Sequence, residues 1–488
     1  MKWTAGLIVA VAASLVAAVP AAAFTPPNQY VAKQWYLGYV NAFDAWSSPP
    51  AGLAPVKVAV IDSGVDCSLP DFAGRIAAKK SFVGGSACTD SVGHGTIVAG
   101  EIAGDLGSNG IVGIAYDAQL VVAKVVRPDE TVPLSAEAAA IKWAADQGAR
   151  VINLSFGAVR DPHNRAIDSY SAREAKAVAY AYSKGAVIVA AAGNADEASA
   201  TTWPWADYPA ALPHVIGVAA LDRSGNVPSF SDRDPRYVDI SAPGVDMFST
   251  FPAALTALRP SCTPQGYTGC AGSDYSSPEG TSFAAPQVSA AAAVLFSLDP
   301  KLTNSQAATV LEQTANDVTA ATGCPLCPVG RDQYSGWGSL DVEQAVAQLS
   351  RTLPTRDRYE PNDDVGQAYP LWGRQRSFRA TLDYYDDPVD VYRVKLRKGQ
   401  QVKVRADGSW TGAKIRLTLR RPGTRTVLGR SLSRKRGAAA FRPGQREHVV
   451  FRARGKGWYF VTVKVTAPGG GAYSLELTKT PPPKRRHP

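Results

Sequence analysis

Four side chains in this sequence could together break an acyl bond. Asp62 closes the apolar run VAVID (58–62), His94 opens GHGTIVAG (93–100), and Ser282 stands in EGTSFAAP (279–286). A serine hydroxyl is a weak nucleophile until an imidazole takes its proton. The imidazole in turn needs a carboxylate on its other nitrogen, which fixes the tautomer and stabilises the cation that forms. The anionic tetrahedral intermediate then needs donors. Ser282's own N–H at a helix start is one, and the amide of Asn194, ending the run VAAAGN (189–194), is another. Taken singly, each residue has a plainer reading: Asp and Asn as turn formers, Ser as a helix cap, His as a structural residue. The order Asp, His, Ser raises the set above those readings, because two other hydrolase classes place the same residues in different orders.

Such residues must be carried to one place by the elements around them. VKVAVI (56–61), QLVVAKVV (119–126), RVINLS (150–155), AVIVAAAG (186–193) and HVIGVAA (214–220) are continuous apolar runs, as expected of strands covered on both faces. Helical patterns lie between and after them at Ala136–Gln147, Ser171–Lys184, Phe283–Leu298, Ser305–Thr314 and Val342–Leu349. The alternation predicts an α/β domain, a parallel sheet with helices on both faces. Asp62 then falls at a strand's carboxyl end, with His94 and Ser282 at helix starts, on the sheet edge where such folds bind ligands. From residue 351 the pattern changes. Short alternating segments such as VDVYRVKL, QVKVRA, IRLTLR and WYFVTVKV, separated by Gly, Pro and Asp, predict a small all-β sandwich.

The expected organisation is a signal peptide at 1–23, a catalytic domain at 24–350, a linker at 351–361, a β-sandwich at 362–480 and an unordered basic tail at 481–488. Residues 1–23 carry Lys2, an apolar run and a small-residue Ala21-x-Ala23 end, the pattern of a cleaved secretory leader rather than an anchor. No later stretch reaches the ~20 apolar residues of a membrane-spanning helix. Export permits disulfides, and the six cysteines suggest local pairs Cys67–Cys88, Cys262–Cys270 and Cys324–Cys327 among 15 arithmetic pairings. With 45% hydrophobic and 19% charged residues the chain is globular, and 488 residues exceed one core. The net charge of +10 is an average of two unlike parts: residues 351–488 hold 31 Lys and Arg against 11 Asp and Glu. Attachment to an anionic surface and a solubilising basic face are equal readings of that excess. Nucleic acid is the least favoured partner, since no nucleic-acid-binding motif is present.

IDSGVD, GHGTIVAG, VINLSFG, VAAAGN and GTSFAAP resemble the signature motifs of the subtilisin-like serine peptidases over residues 30–350. The resemblance implies a secreted serine endopeptidase acting on proteins or peptides, with Asp62, His94 and Ser282 as triad and Asn194 as oxyanion donor. It implies that Ser155, Phe156 and Gly157 pair with the substrate backbone, while Ala191, Ala192 and Gly193 wall the primary specificity pocket. The chemistry needs no cofactor and no metal. A structural calcium is an expectation of the family, with Asn109 in LGSNGIVGIA as one candidate ligand and the acidic cluster YYDDPVD (384–390) as another, read first as a solvated turn. Residues 24–46 resemble the amino-terminal arm of mature relatives, so the precursor is expected to fold without a long propeptide. Asp129 and Glu130 in RPDETVP (127–133), with Asp207 before Tyr208-Pro209, read first as solvated loop acids. The alternative is that they favour basic substrate residues. Residues 355–480 resemble the bacterial pre-peptidase carboxy-terminal domain, through RYEPNDD, DDPVDVYRVKLRKGQ and GWYFVTVKV. A monomer is expected. Two readings compete with an endopeptidase: a surface-binding protein in which the catalytic fold is only a scaffold, and an esterase using the same nucleophile.

Overall fold

The computed structural model describes residues 24–46, 54–107, 109–194, 203–258, 266–268 and 279–351, then 359, 362, 365, 368–384, 387–408, 415–421, 427–430, 446–467 and 470–481. The expected leader at 1–23, the expected Cys262–Cys270 pair, the basic run RSLSRKR (430–436) except Arg430, most of the expected linker and the expected tail beyond Pro481 lie outside the described residues.

Seven strands form the first sheet: β1 (Lys57–Asp62), β2 (Ile76–Ser81), β3 (Gln119–Lys124), β4 (Val151–Leu154), β5 (Val187–Ala191), β6 (Val215–Leu221) and β7 (Ile240–Pro243). Their order is β2-β3-β1-β4-β5-β6-β7 and every neighbouring pair is parallel. The helices are α1 (Trp35–Tyr39), α2 (Ala42–Ala45), α3 (His94–Ala103), α4 (Leu134–Asp146), α5 (Ala172–Ser183), α6 (Ala253–Leu258), α7 (Thr281–Leu298), α8 (Asn304–Gln313) and α9 (Val342–Gln348). The continuous apolar runs are explained by two cores. Val58, Val60, Leu120 and Val122 point to the side of α3 and α7, whereas Ala59, Ile61, Val121 and Ala123 point to that of α4 and α5. Helix α7, 18 residues long, is apolar enough by composition to cross a membrane, but it is packed within the first core.

Two strands went unread in the sequence. In β2, IAAKKS alternates half-buried and exposed residues because it is the sheet edge, and β7 is short and ends in Pro243. The strand order reverses around β1: the chain leaves it toward β2 and β3, then returns to β4 on its other side. The carboxyl ends of β1 and β4 therefore frame a crevice. Disulfides join Cys67 to Cys88 and Cys324 to Cys327, as expected for these two pairs.

The second unit packs two sheets. One holds the strands Tyr369–Leu371, Val389–Leu396, Gly457–Val465, Ile415–Arg420 and Val427–Arg430; the other holds Gln375–Asp383, Gly470–Thr480, Gln401–Gly408 and Arg446–Arg452. Val394, Leu396, Val404, Leu417, Val461 and Leu475 fill the space between them. The acidic cluster is not a solvated turn throughout. Asp390 is fully buried and accepts hydrogen bonds from the Tyr392 hydroxyl at 3.1 Å and from the Tyr473 hydroxyl. Asp387 closes a turn with Asp383 through backbone hydrogen bonds at 2.9 and 3.2 Å.

Candidate active site

Asp62 is the last residue of β1, and Ser63 N–H donates to its Oδ1 at 2.7 Å. His94 opens α3. Asp90 prepares that helix start by accepting from the N–H groups of Gly93 (2.8 Å) and Thr96 (2.9 Å), and from the hydroxyls of Ser63 (2.8 Å) and Thr96 (2.6 Å). The approach of α3 to β1 requires glycine at 95: a Cβ there would lie 2.2 Å from the Gly64 carbonyl oxygen and 3.0 Å from Asp62 Cβ. With that contact open, His94 Nδ1 lies 2.8 and 3.0 Å from the two Asp62 carboxylate oxygens. Burial acts to lower the affinity of His94 for its second proton. The charge and hydrogen bond of Asp62, with Asp90 and Glu130 adding, outweigh burial and hold it above the usual imidazole value.

Ser282 lies in the first turn of α7, tied to Ser155 twice. Its Oγ donates to the Ser155 carbonyl at 2.8 Å, and Ser155 Oγ donates to the Ser282 carbonyl at 2.7 Å. Pro286 makes the second bond available. A proline four residues on has no N–H to offer the Ser282 carbonyl, so that oxygen is open to a side chain. Asn153 Nδ2 donates to Ser155 Oγ at 2.8 Å, and Ser289 Oγ donates to Asn153 Oδ1 at 2.8 Å, so β4 and α7 are locked across the crevice. Among the described residues no hydrogen bond joins Ser282 to His94; the hydroxyl is turned to Ser155 and must rotate to reach the imidazole.

Asn194 follows β5. Its Oδ1 accepts from Thr281 N–H at 2.8 Å and Thr281 Oγ1 at 3.0 Å, which commits the oxygen and leaves Nδ2 as the donor end. The expected residues thus converge. Asp62, His94, Ser155, Phe156, Gly157, Ala191, Gly193, Asn194 and Ser282 line one cleft of about 300 Å³, with Glu130 and Asp207. Ala192 stands apart: it is fully buried against Ala206, Ala219 and Val238, and its carbonyl holds the Asp207 N–H at 2.8 Å. Of the loop acids, Asp129 is exposed as expected. Glu130 is exposed too, at the mouth of the cleft, whereas Asp207 is partly buried and lines it. Thr281, Asp90 and Pro286 were missed in the sequence, although an acid before GHG and a proline inside a helical run are visible signals.

Around Asn109, one of the candidate calcium ligands, several oxygens turn toward one side chain. The carbonyl oxygens of Asp105, Asn109 and Ile111 converge on Asn28 Nδ2 at 2.9, 2.9 and 2.8 Å, while the Asp71 carboxylate accepts from Ile111 N–H (3.1 Å) and the Tyr267 hydroxyl (2.6 Å). Three carbonyl oxygens thus share the two N–H groups of one amide. Among the described residues no cluster of three or more His, Cys, Asp or Glu could hold a metal ion.

The subtilase family model matches residues 54–338, and the bacterial pre-peptidase C-terminal domain matches residues 388–465. Subtilisin DY of Bacillus licheniformis is 34% identical over 60% of this chain and 91% of its own length. Thermitase of Thermoactinomyces vulgaris is 33% identical over 66% of this chain and 99% of its own. The solved structure of Sphericase is 33% identical, covers 60% of this chain and 92% of that one, and aligns with a TM-score of 0.49.

Proposed function

The chain belongs to the subtilase family of serine endopeptidases, and from that premise we propose that it is exported and cuts proteins through an acyl-enzyme on Ser282. The observation that carries the assignment of roles is the 2.8 Å contact of His94 Nδ1 with Asp62, in one cleft with Ser282 and Asn194. A substrate strand lies along Ser155–Gly157 and brings its carbonyl carbon to Ser282. Ser282 Oγ rotates from the Ser155 carbonyl to His94 Nε2, gives up its proton and attacks. Asp62 keeps the imidazole in the productive tautomer and stabilises the imidazolium. The oxyanion meets Asn194 Nδ2 and the Ser282 N–H, the latter at the positive end of α7. His94 then protonates the leaving amine, and water releases the acyl group by the reverse path.

Export is supported by the leader-like residues 1–23 and by two disulfides, which persist in oxidising compartments. The pre-peptidase domain supplies a second role, attachment to an anionic surface. Its five-stranded sheet places Arg416 directly opposite Lys464, a like-charge pair that costs stability unless an anion compensates it.

The test is to express residues 24–488 and a Ser282→Ala variant, then measure casein hydrolysis and labelling by an organophosphonate. Wild type should cleave and label. The variant should not label and should lose on the order of 10⁶ in kcat. A wild-type chain that neither labels nor cleaves ends the peptidase reading.

A further inference from the structure

Asp207 occupies a position that the catalytic steps leave unexplained. Its backbone N–H donates to the Ala192 carbonyl at 2.8 Å, while Tyr208 exchanges two backbone hydrogen bonds with Ala158, at 2.8 and 3.0 Å. The segment 207–208 therefore bridges the chain after β4 and the chain after β5. Ser155–Gly157 from the first stretch, and Ala191 and Gly193 from the second, line the cleft together with Ser282. The carboxylate sits between them. A Cβ added to Gly157 would lie 2.8 Å from Asp207 Oδ2, and one added to Gly193 would lie 3.0 Å from the same oxygen. Glycine at both positions leaves the acid uncovered as part of the cleft lining.

We propose that Asp207 makes this pocket select a cationic side chain, lysine or arginine, at the substrate residue whose carbonyl Ser282 attacks. The proposal rests on the peptidase reading and names its substrate class. Charge around the pocket is consistent with it. Arg160 comes near but is spent elsewhere: its guanidinium pairs with Asp234 at 2.7 Å and lies over the Tyr237 ring at 4.8 Å. Glu130 lines the same cleft and adds a second carboxylate. A guest ammonium or guanidinium would form charge-assisted hydrogen bonds to Asp207, bidentate in the case of arginine. An apolar guest would instead leave a desolvated carboxylate unpaired, which is tolerable only when it is protonated.

That condition gives the selectivity a pH dependence. Burial raises the Asp207 carboxyl to about 7, opposed by a hydrogen bond from the Arg160 backbone. Below that value the acid is neutral and the pocket accepts phenylalanine or leucine. Above it the acid is charged, and the preference for arginine over phenylalanine grows.

The experiment compares kcat/KM for matched peptides carrying Arg, Lys, Phe or Leu before the scissile bond, in wild type, Asp207→Asn and Asp207→Ser, across about pH 6 to about pH 9. At the alkaline end wild type should prefer Arg and Lys by at least about tenfold. The Arg-to-Phe ratio should rise through about pH 7 in wild type and be flat and at least about tenfold lower in both variants. Two variants guard against one failing to fold. Organophosphonate labelling of Ser282 is run in parallel. A wild-type chain that labels yet cleaves Arg peptides no faster than Phe peptides overturns this proposal and leaves the peptidase intact. So does a ratio unmoved by both substitutions. A chain that neither labels nor cleaves overturns both.

Discussion

Ser282 is held at both of its oxygens by Ser155, and that arrangement separates two roles that the sequence shows as one motif. The carbonyl bond fixes where the helix start lies; the hydroxyl bond fixes only a resting rotamer. Asn194 is likewise divided, with Oδ1 pinned by Thr281 and Nδ2 left to act. Asn194→Ala should lower kcat by roughly 10²–10³ with little change in KM, the size reported for loss of the asparagine donor in subtilisin itself. Steady-state kinetics on one peptide checks it, and a rise in KM alone would assign Asn194 to binding. His94 offers a second test. Catalysis needs the neutral imidazole, and its proton affinity is raised here, so the acid limb of kcat/KM for a Phe peptide should fall above the ordinary midpoint of ~6.5. Glu130 contributes to that rise, hence Glu130→Gln should move the limb toward lower pH. An unmoved limb would mean that solvent screens Glu130 from the imidazole.

At the scale of elements, the apolar runs and the helical periods were readable because they are local. The five expected strands and five expected helices all form, with shifts of one or two residues at their ends. What the sequence hid depends on partners far along the chain. Strand β2 is an edge and so lacks a continuous apolar run, and the depth of Asp207 follows from pairing of Tyr208 with Ala158, some fifty positions earlier. The α4–α5 contact hides a further feature. Glu137 of α4 and Glu174 of α5 are both buried and face each other, so burial, followed by the charge and hydrogen bond of Glu174, raises the Glu137 carboxyl to about 9. Burial also raises that of Glu174. A folded-state value above the unfolded ~4.5 means that the protonated pair supports the fold fully at acid pH, and that this support is lost as pH rises toward about 9. Glu137→Gln removes the titration. In a Ser282→Ala background, which prevents autolysis, the melting temperature of the parent should fall from about pH 5 to about pH 9 more steeply than that of the Gln variant. Parallel curves would show that the pair is solvated enough to ionise freely.

For the molecule as a whole, the +10 average conceals an acidic catalytic unit joined to a basic one. Composition revealed that division, but only the strand register shows how the cations are arranged. Arg416 faces Lys464 across one strand pair, and Arg393 and Arg420 flank Phe460 in the same row of the sheet. Lys395 lies opposite Trp458, with its ammonium 5.6 Å from the ring and the Arg393 guanidinium 5.3 Å from it. Among the described residues none of these five cations makes a salt bridge to a carboxylate. A merely solubilising face would gain by mixing signs, since opposite-charge cross-strand pairs are favourable and like-charge pairs are not. Arg416→Glu separates the two interpretations. It converts the Arg416–Lys464 contact into an opposite-charge pair worth about 0.2–1 kcal/mol, set against the lost attraction of Arg416 for the Glu447 carboxylate, so stability should change little. If this face attaches the protein to an anionic surface, the same change should weaken retention of the Ser282→Ala chain on an anionic polymer. Elution should then occur at lower salt than for the parent, because fewer bound counterions are displaced. Unchanged elution would leave the row of cations as a solubilising surface and remove the attachment role from this sheet.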